Sequence, residues 1–231
     1  MRKRPIFANG QFYHVYNRGT DRRRIFMDDK DRFRFIHDLF EFNDANIILN
    51  NTYYWGRIPI GKERKPRKIL VDIVAYALMP NHYHLLLQQR RDNGISLFLQ
   101  KLGSGYTSYF NLRHERSGVL FQGKYKAKHI DQDRYLRHLI FYLHLNPLDI
   151  FYKNWKEKGL HATRRIEKDL ENYRWTSYLD YIGKQNFSSL LNFDVIRDFD
   201  LPIGAKEHKK QIATWLSGYP AKQEDIRALL F

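Results

Sequence analysis

The 231-residue chain carries 40 Lys and Arg against 25 Asp and Glu, a net charge of +15. Such an excess points to a polyanionic partner, and nucleic acid stands ahead of a membrane surface because the sequence offers no basic amphipathic helix with an unbroken apolar face. With no Cys, disulfides, thiolate metal sites and a cysteine nucleophile are excluded, while 43% apolar residues suffice for one sizeable domain with an appendage or two small ones. No apolar run is long enough to span a bilayer, and the basic start Met1-Arg2-Lys3-Arg4-Pro5 leads into Asn9-Gly10-Gln11 where a signal peptide needs its apolar core. The expected location is the cytoplasm.

Phe12-Tyr13-His14-Val15-Tyr16 is aromatic and β-branched between turn residues and reads as a first strand. Arg18, Arg22, Arg23 and Arg24 follow as a basic loop suited to phosphate contact. From Asp28 to about Asn43 the period becomes helical through Phe33, Ile36, Leu39 and Phe40, with Asp28 or Asp29 as cap. Ile47 to Tyr54 has the character of a short strand, and Arg57, Lys62, Arg64, Lys65, Arg67 and Lys68 among Gly and Pro read as an exposed basic loop.

Ile69 to Ala77, a tight connection at Met79-Pro80-Asn81, and His82-Tyr83-His84-Leu85-Leu86-Leu87 read as a hairpin whose second strand is central. Asp92-Asn93-Gly94 ends it. A second helix is predicted from near Ser96, striped by Leu97, Leu99, Leu102, Tyr106, Tyr109 and Phe110 and weakened by Gly103 and Gly105. Part of Val119 to His129 is expected to be a last strand bearing Lys124, Lys126 and Lys128, with Phe121 and Tyr125 open to two roles, stacking on unpaired bases or core packing. A third helix should start at Asp131 or Asp133 and end by Asn146, because Pro147 disfavours a helical predecessor.

Strand, helix, strand, strand, helix, strand fits an α+β fold, a ferredoxin-like four-stranded antiparallel sheet with helices on one face. Residues 1–148 would form this α+β unit and 149–231 a mostly helical C-terminal extension that includes Trp155, Tyr173 to Leu179 and Gln211 to Leu216.

Two features carry chemistry. A strand's period of two places His82 and His84 on one face, a rigid imidazole pair that needs one more protein ligand to hold a divalent ion; satisfied core histidines are the bland alternative. On the third helix Tyr135, His138, Tyr142 and Asn146 form one stripe opposite Leu136, Leu139, Ile140 and Leu143. A phenol can be a nucleophile and an amide oxygen a hard-metal ligand, although an aromatic residue on a helix also commonly serves as a packing anchor.

Leu78-Met79-Pro80-Asn81-His82-Tyr83-His84-Leu85 resembles the HUH motif of the IS200-like single-tyrosine transposases. Tyr13-His14-Val15 with Arg18-Gly19, Gly118-x-Leu120-Phe121-Gln122-Gly123-x-Tyr125, Tyr142-x-x-x-Asn146-Pro147 and Tyr173-Arg174-Trp175-Thr176-Ser177-Tyr178 resemble further landmarks in the same order, the later ones most like the REP-associated branch. The resemblance implies a metal site at His82, His84 and Asn146, a nucleophile at Tyr142, and metal-dependent cleavage and rejoining of single-stranded DNA at hairpin-associated sites through a 5′-phosphotyrosine. It implies Mg²⁺ or Mn²⁺ as cofactor; a His-His-Asn set is soft for Mg²⁺ and better suited to Mn²⁺ or another transition ion. It also implies action as a homodimer or a monomer, both of which occur in the family. Arg18, Arg22, Arg23, Arg24, Lys124, Lys126 and Lys128 would contact DNA. The competing expectation is a non-catalytic basic module that holds hairpin DNA or structured RNA, with a structural His pair.

Overall fold

The computed structural model describes residues 6–46, 66–199, 201 and 203–218. Four strands, β1 (Phe12–Arg18), β2 (Val71–Met79), β3 (His82–Gln89) and β4 (Lys126–Ile130), form one antiparallel sheet in the order β2-β3-β1-β4. The expected strand at Ile47 to Tyr54 and the cations Arg57, Lys62, Arg64 and Lys65 lie outside the described residues. Arg67 is not a free loop cation: its guanidinium donates to the Phe40 and Asn43 carbonyls and lies 3.9 Å from the Phe40 ring centroid.

Alternation along the strands divides the core in two. Tyr13, Val15, Tyr83, Leu85 and Leu87 pack with α1 (Asp29–Glu41) and α2 (Gly94–Arg113), so these helices share one face as expected. Asp28 caps α1, its carboxylate accepting from the Asp31 amide at 3.1 Å. The α2 helix starts two residues before Ser96, because Asn93 in left-handed geometry (φ 58°) turns the chain off the sheet, and its buried stripe also takes in Ile95 and Phe98. It runs unbroken through Gly103 and Gly105. A Cβ on Gly105 would lie 2.5 Å from the Phe42 ring, so the missing side chain is what lets that ring approach.

The other face is covered too. Phe12, Ala75, Ala77 and Leu86 pack with α3 (Asp133–Leu145) and with later residues of the chain, since strands that are apolar on both sides need cover on both. Neither Asp131 nor Asp133 caps α3; Gln132 occupies that position without a side-chain bond. The helix stops before Asn146 as predicted, but Asn146 keeps helical angles (φ −50°, ψ −39°) despite Pro147. The proline needs no amide partner at the head of a new helix, α4 (Leu148–Phe151), which the Asp149 and Ile150 amides join by bonding back to the Asn146 and Pro147 carbonyls at 3.0 and 2.9 Å.

Beyond it come α5 (Trp155–Lys158), α6 (Arg164–Asn172), α7 (Tyr178–Tyr181) and α8 (Ala205–Ser217). The intervening chain lines the outer edge of β2: Leu78 donates to the Trp175 carbonyl at 2.9 Å, Ser177 to that of Tyr76 at 3.1 Å, and Asn192 to that of Ile73 at 3.0 Å. Under α8, His144 bonds His208 through Nδ1 at 3.0 Å and the Ser177 hydroxyl through Nε2 at 2.9 Å, a polar link buried among Tyr178, Tyr181 and Phe141.

Candidate active site

On the sheet face beneath α3, strand parity brings together His14 and Tyr16 of β1 with His82 and His84 of β3. The His82 and His84 rings sit edge to face with centroids 5.0 Å apart. His82 Nδ1 lies 2.7 Å from the Asn81 amide oxygen, which can only accept, so Nδ1 carries the proton and Nε2 keeps its lone pair. His84 Nδ1 lies 2.8 Å from His14 Nε2. When His84 donates in this pair, its own Nε2 is likewise a free base, the usual way an outer partner orients a ligating histidine.

Both imidazoles are held neutral. Burial lowers the His82 pKa to about 4, with Lys156 and Arg18 adding to the effect and Asp149 opposing it. Burial pushes His84 well below its ordinary range, and the neighbouring His82, His14 and Lys156 act in the same direction.

Tyr142 reaches down from α3 and meets His84 edge to face, with centroids 5.7 Å apart. It is largely buried, yet buried against the imidazole. Asn146, one turn on, donates through Nδ2 to the Tyr142 carbonyl at 2.9 Å, while its Oδ1 is buried with no hydrogen-bond partner. An orphaned amide oxygen one helical turn beyond the tyrosine that meets His84, together with two neutral imidazoles, is a donor set that fits a divalent ion with mixed nitrogen and oxygen preference. Among the described residues no three of His, Cys, Asp and Glu come together for a metal, so such an ion depends on that amide.

Lys126 and Lys128 of β4 stand opposite Tyr16 and His14 in register and so share the histidine face; Lys126 Nζ is 5.9 Å from the Tyr16 ring centroid. Arg18 stands opposite His82 and bonds the Gln122 side chain. Lys124 is exposed in the turn leading into β4. Arg22, Arg23 and Arg24 are exposed on a loop tied to the β2–β3 turn, where Ile25 donates to the Pro80 carbonyl and Gly19 to that of Asn81, each at 2.9 Å. Phe121 belongs to the core between Tyr83 and Tyr106 and is no platform for a base. Tyr125 is half-buried, stacked on Phe7 at 6.5 Å, and His138 lines a cleft between α3 and α8.

Three residues at this site carry no role in the sequence reading. His14 figures in the sequence only within the Tyr13-His14-Val15 landmark and Tyr16 only as a strand residue, and their meeting with His84 depends on the β1–β3 register. Lys156 lies on the four-residue α5. Its Nζ stands 5.3 Å from the Tyr142 ring centroid.

Residues 63–146, from the approach to β2 to the end of α3, match the family model described as "Transposase IS200 like". No match was found among curated proteins. Among solved structures, a REP-associated tyrosine transposase bound to a REP hairpin is 12% identical, with a TM-score of 0.53 over 88% of this chain and 96% of the other; the two share a fold. A Deinococcus radiodurans protein described as a candidate transposase is 15% identical over 60% of this chain and 93% of its own, with a TM-score of 0.36. The tRNA(His) guanylyltransferase of Saccharomyces cerevisiae is 9% identical over 73% and 74%, with a TM-score of 0.38. Among the described residues no helix is long and apolar enough to cross a membrane.

Proposed function

From the match of residues 63–146 to the IS200-like transposase family model, we propose that this chain cleaves and rejoins single-stranded DNA at hairpin or REP-like sites through a phosphotyrosine on Tyr142. The observation that carries the reading is the contact between the Tyr142 and His84 rings, which sets a phenol from α3 against the imidazole pair of β3.

His82, His84 and Asn146 would hold Mg²⁺ or Mn²⁺, and such an ion supplies polarisation of a non-bridging phosphate oxygen. Tyr142 Oη gives up its proton and attacks phosphorus; the Oη–P bond forms, the P–O3′ bond breaks, and the leaving oxygen takes up one proton to become a 3′-hydroxyl, so the exchange of esters consumes no net proton. The strand stays bound as a 5′-phosphotyrosine, whose ester bond conserves the energy for rejoining, so no nucleotide cofactor is consumed. Fixing the phenol on a helix packed against the sheet makes its attack on bound DNA effectively intramolecular. Arg18, Lys126 and Lys128, on the histidine face, together with Arg22, Arg23, Arg24 and Lys124 nearby, neutralise the backbone of the incoming strand.

The test is a hairpin oligonucleotide with a single-stranded flank, incubated with Mn²⁺ and run on a denaturing gel. A covalent adduct is expected from the unaltered protein and none from Tyr142→Phe, with hairpin affinity unchanged within about threefold. An adduct that persists in the variant removes Tyr142 from the role. Hairpin binding indifferent to chelator and to His82→Ala, with no cleavage at all, would instead establish the non-catalytic binding module.

A further inference from the structure

We propose that Lys156, supplied by the chain beyond the third helix, is a further substrate-binding residue of the Tyr142 site, where its ammonium takes the phosphate that the phenol attacks. The assignment rests on the phosphotyrosine reading and deepens it.

Lys156 is placed with care for a residue on a one-turn helix. Asn154 enters in left-handed geometry (φ 58°), and Trp155 is buried in the core with its indole Nε1 donating to Asp149 Oδ1 at 2.7 Å. The other oxygen of the same carboxylate receives Lys156 Nζ at 2.6 Å. One carboxylate from α4 thus anchors the tryptophan and aims the neighbouring lysine over Tyr142, 5.3 Å from the ring centroid. The lysine also lies close enough to His82 and His84 to oppose a proton on either.

The ion pair with Asp149 is open to water. The Lys156 side chain is 31% exposed and Asp149 is 36% exposed, and an ion pair so open to water contributes little, so a phosphodiester can replace the carboxylate at small cost. An ammonium on a four-carbon stem, parked beside the nucleophile on an exposed acid, is a point charge available for an oxygen that gains charge as phosphorus is attacked. The bland alternative is that the Asp149–Lys156 pair only fastens α5 to α4. That alternative predicts that loss of either partner has the same effect.

The experiment compares Lys156→Met, Lys156→Arg and Asp149→Asn for single-turnover adduct formation on the hairpin substrate and for hairpin affinity across a salt series. Asp149→Asn keeps an acceptor for Trp155 while abolishing the ion pair. Lys156→Met is expected to slow adduct formation about 100-fold, the scale of losing one transition-state charge donor, and to reduce the slope of log affinity against log salt by about one. Lys156→Arg should recover most of the rate, and Asp149→Asn should lose less than about tenfold because the cation remains. Equal losses in Lys156→Met and Asp149→Asn, or an unchanged salt slope in Lys156→Met, overturn the assignment. Should the unaltered protein form no adduct, the phosphotyrosine reading fails by itself, and Lys156 is then judged on the salt slope alone.

Discussion

His14 Nε2 and His84 Nδ1 face each other across two central strands at 2.8 Å, both rings fully or almost fully buried. The contact fixes the plane of His84 and, when His84 donates, directs its second nitrogen away from His14 as a base. His14→Phe keeps the ring's bulk and removes the acceptor. Mn²⁺ affinity should fall by about 10- to 100-fold while the far-ultraviolet circular dichroism is unchanged, as measured by calorimetry or electron paramagnetic resonance on the purified protein. Affinity equal to the parent's would show that His14 does not orient the ligand.

Two glycines of α2 should respond in opposite ways. Gly103 has nothing within 4 Å of where a Cβ would be, so Gly103→Ala should raise stability by about 0.5–1 kcal/mol through helix propensity. Gly105 is met by the Phe42 ring at 2.5 Å, and Gly105→Leu should cost about 1–3 kcal/mol or more by forcing that ring out. Urea midpoints of the two variants decide the matter.

Asp31 joins α1 to α2 from a fully buried position. It accepts from the Met27 amide at 2.8 Å, from the Tyr109 hydroxyl at 3.1 Å and from His114 at 3.0 Å, and pairs with Arg113. Asp31→Ala leaves those donors without their common acceptor and should destabilise the protein by about 3–5 kcal/mol. A loss below about 1 kcal/mol in chemical denaturation would place Asp31 among ordinary surface ion pairs.

Acid should weaken the fold well before its carboxylates titrate. Burial depresses His144, with His208 adding to it, and depresses His82 and His84 in the same direction. A histidine whose folded pKa lies below its unfolded value stays neutral in the native state while the unfolded chain takes up the proton, so its stability contribution is intact above about pH 6.5 and declines as pH falls below it. Each such group contributes a slope of about 1.4 kcal/mol per pH unit until its folded pKa is reached, about 4 for His82. Unfolding free energies at pH 7.5, 6 and 5 should therefore drop steeply, and His144→Gln should flatten the drop.

Long periodic segments made most of the architecture legible. The stripe of α1, the hairpin bearing the histidines and the Tyr142–Asn146 spacing on α3 each follow from one repeating pattern. What stayed hidden depended on register or on brevity. Nothing local shows that Tyr16 and His14 will lie beside His84, because that requires the β1–β3 pairing. Helices of four residues such as α4, α5 and α7 are too short for a period to emerge, so the cover over the second sheet face and Lys156 within it went unseen. Phe121 carried the same aromatic label for core and for base stacking, and only its burial between Tyr83 and Tyr106 separates the two.

The helix that carries Tyr142 is wedged. Sheet residues grip one side, and on the other Phe141 and His144 are roofed by His208, Trp215, Tyr178 and Tyr181. A helix so clasped makes a poor swing arm: trading it with a second molecule would mean carrying the roof along or tearing it off. In the cut-and-reseal cycle proposed above, the strand ends and not the tyrosine would then be the parts that travel.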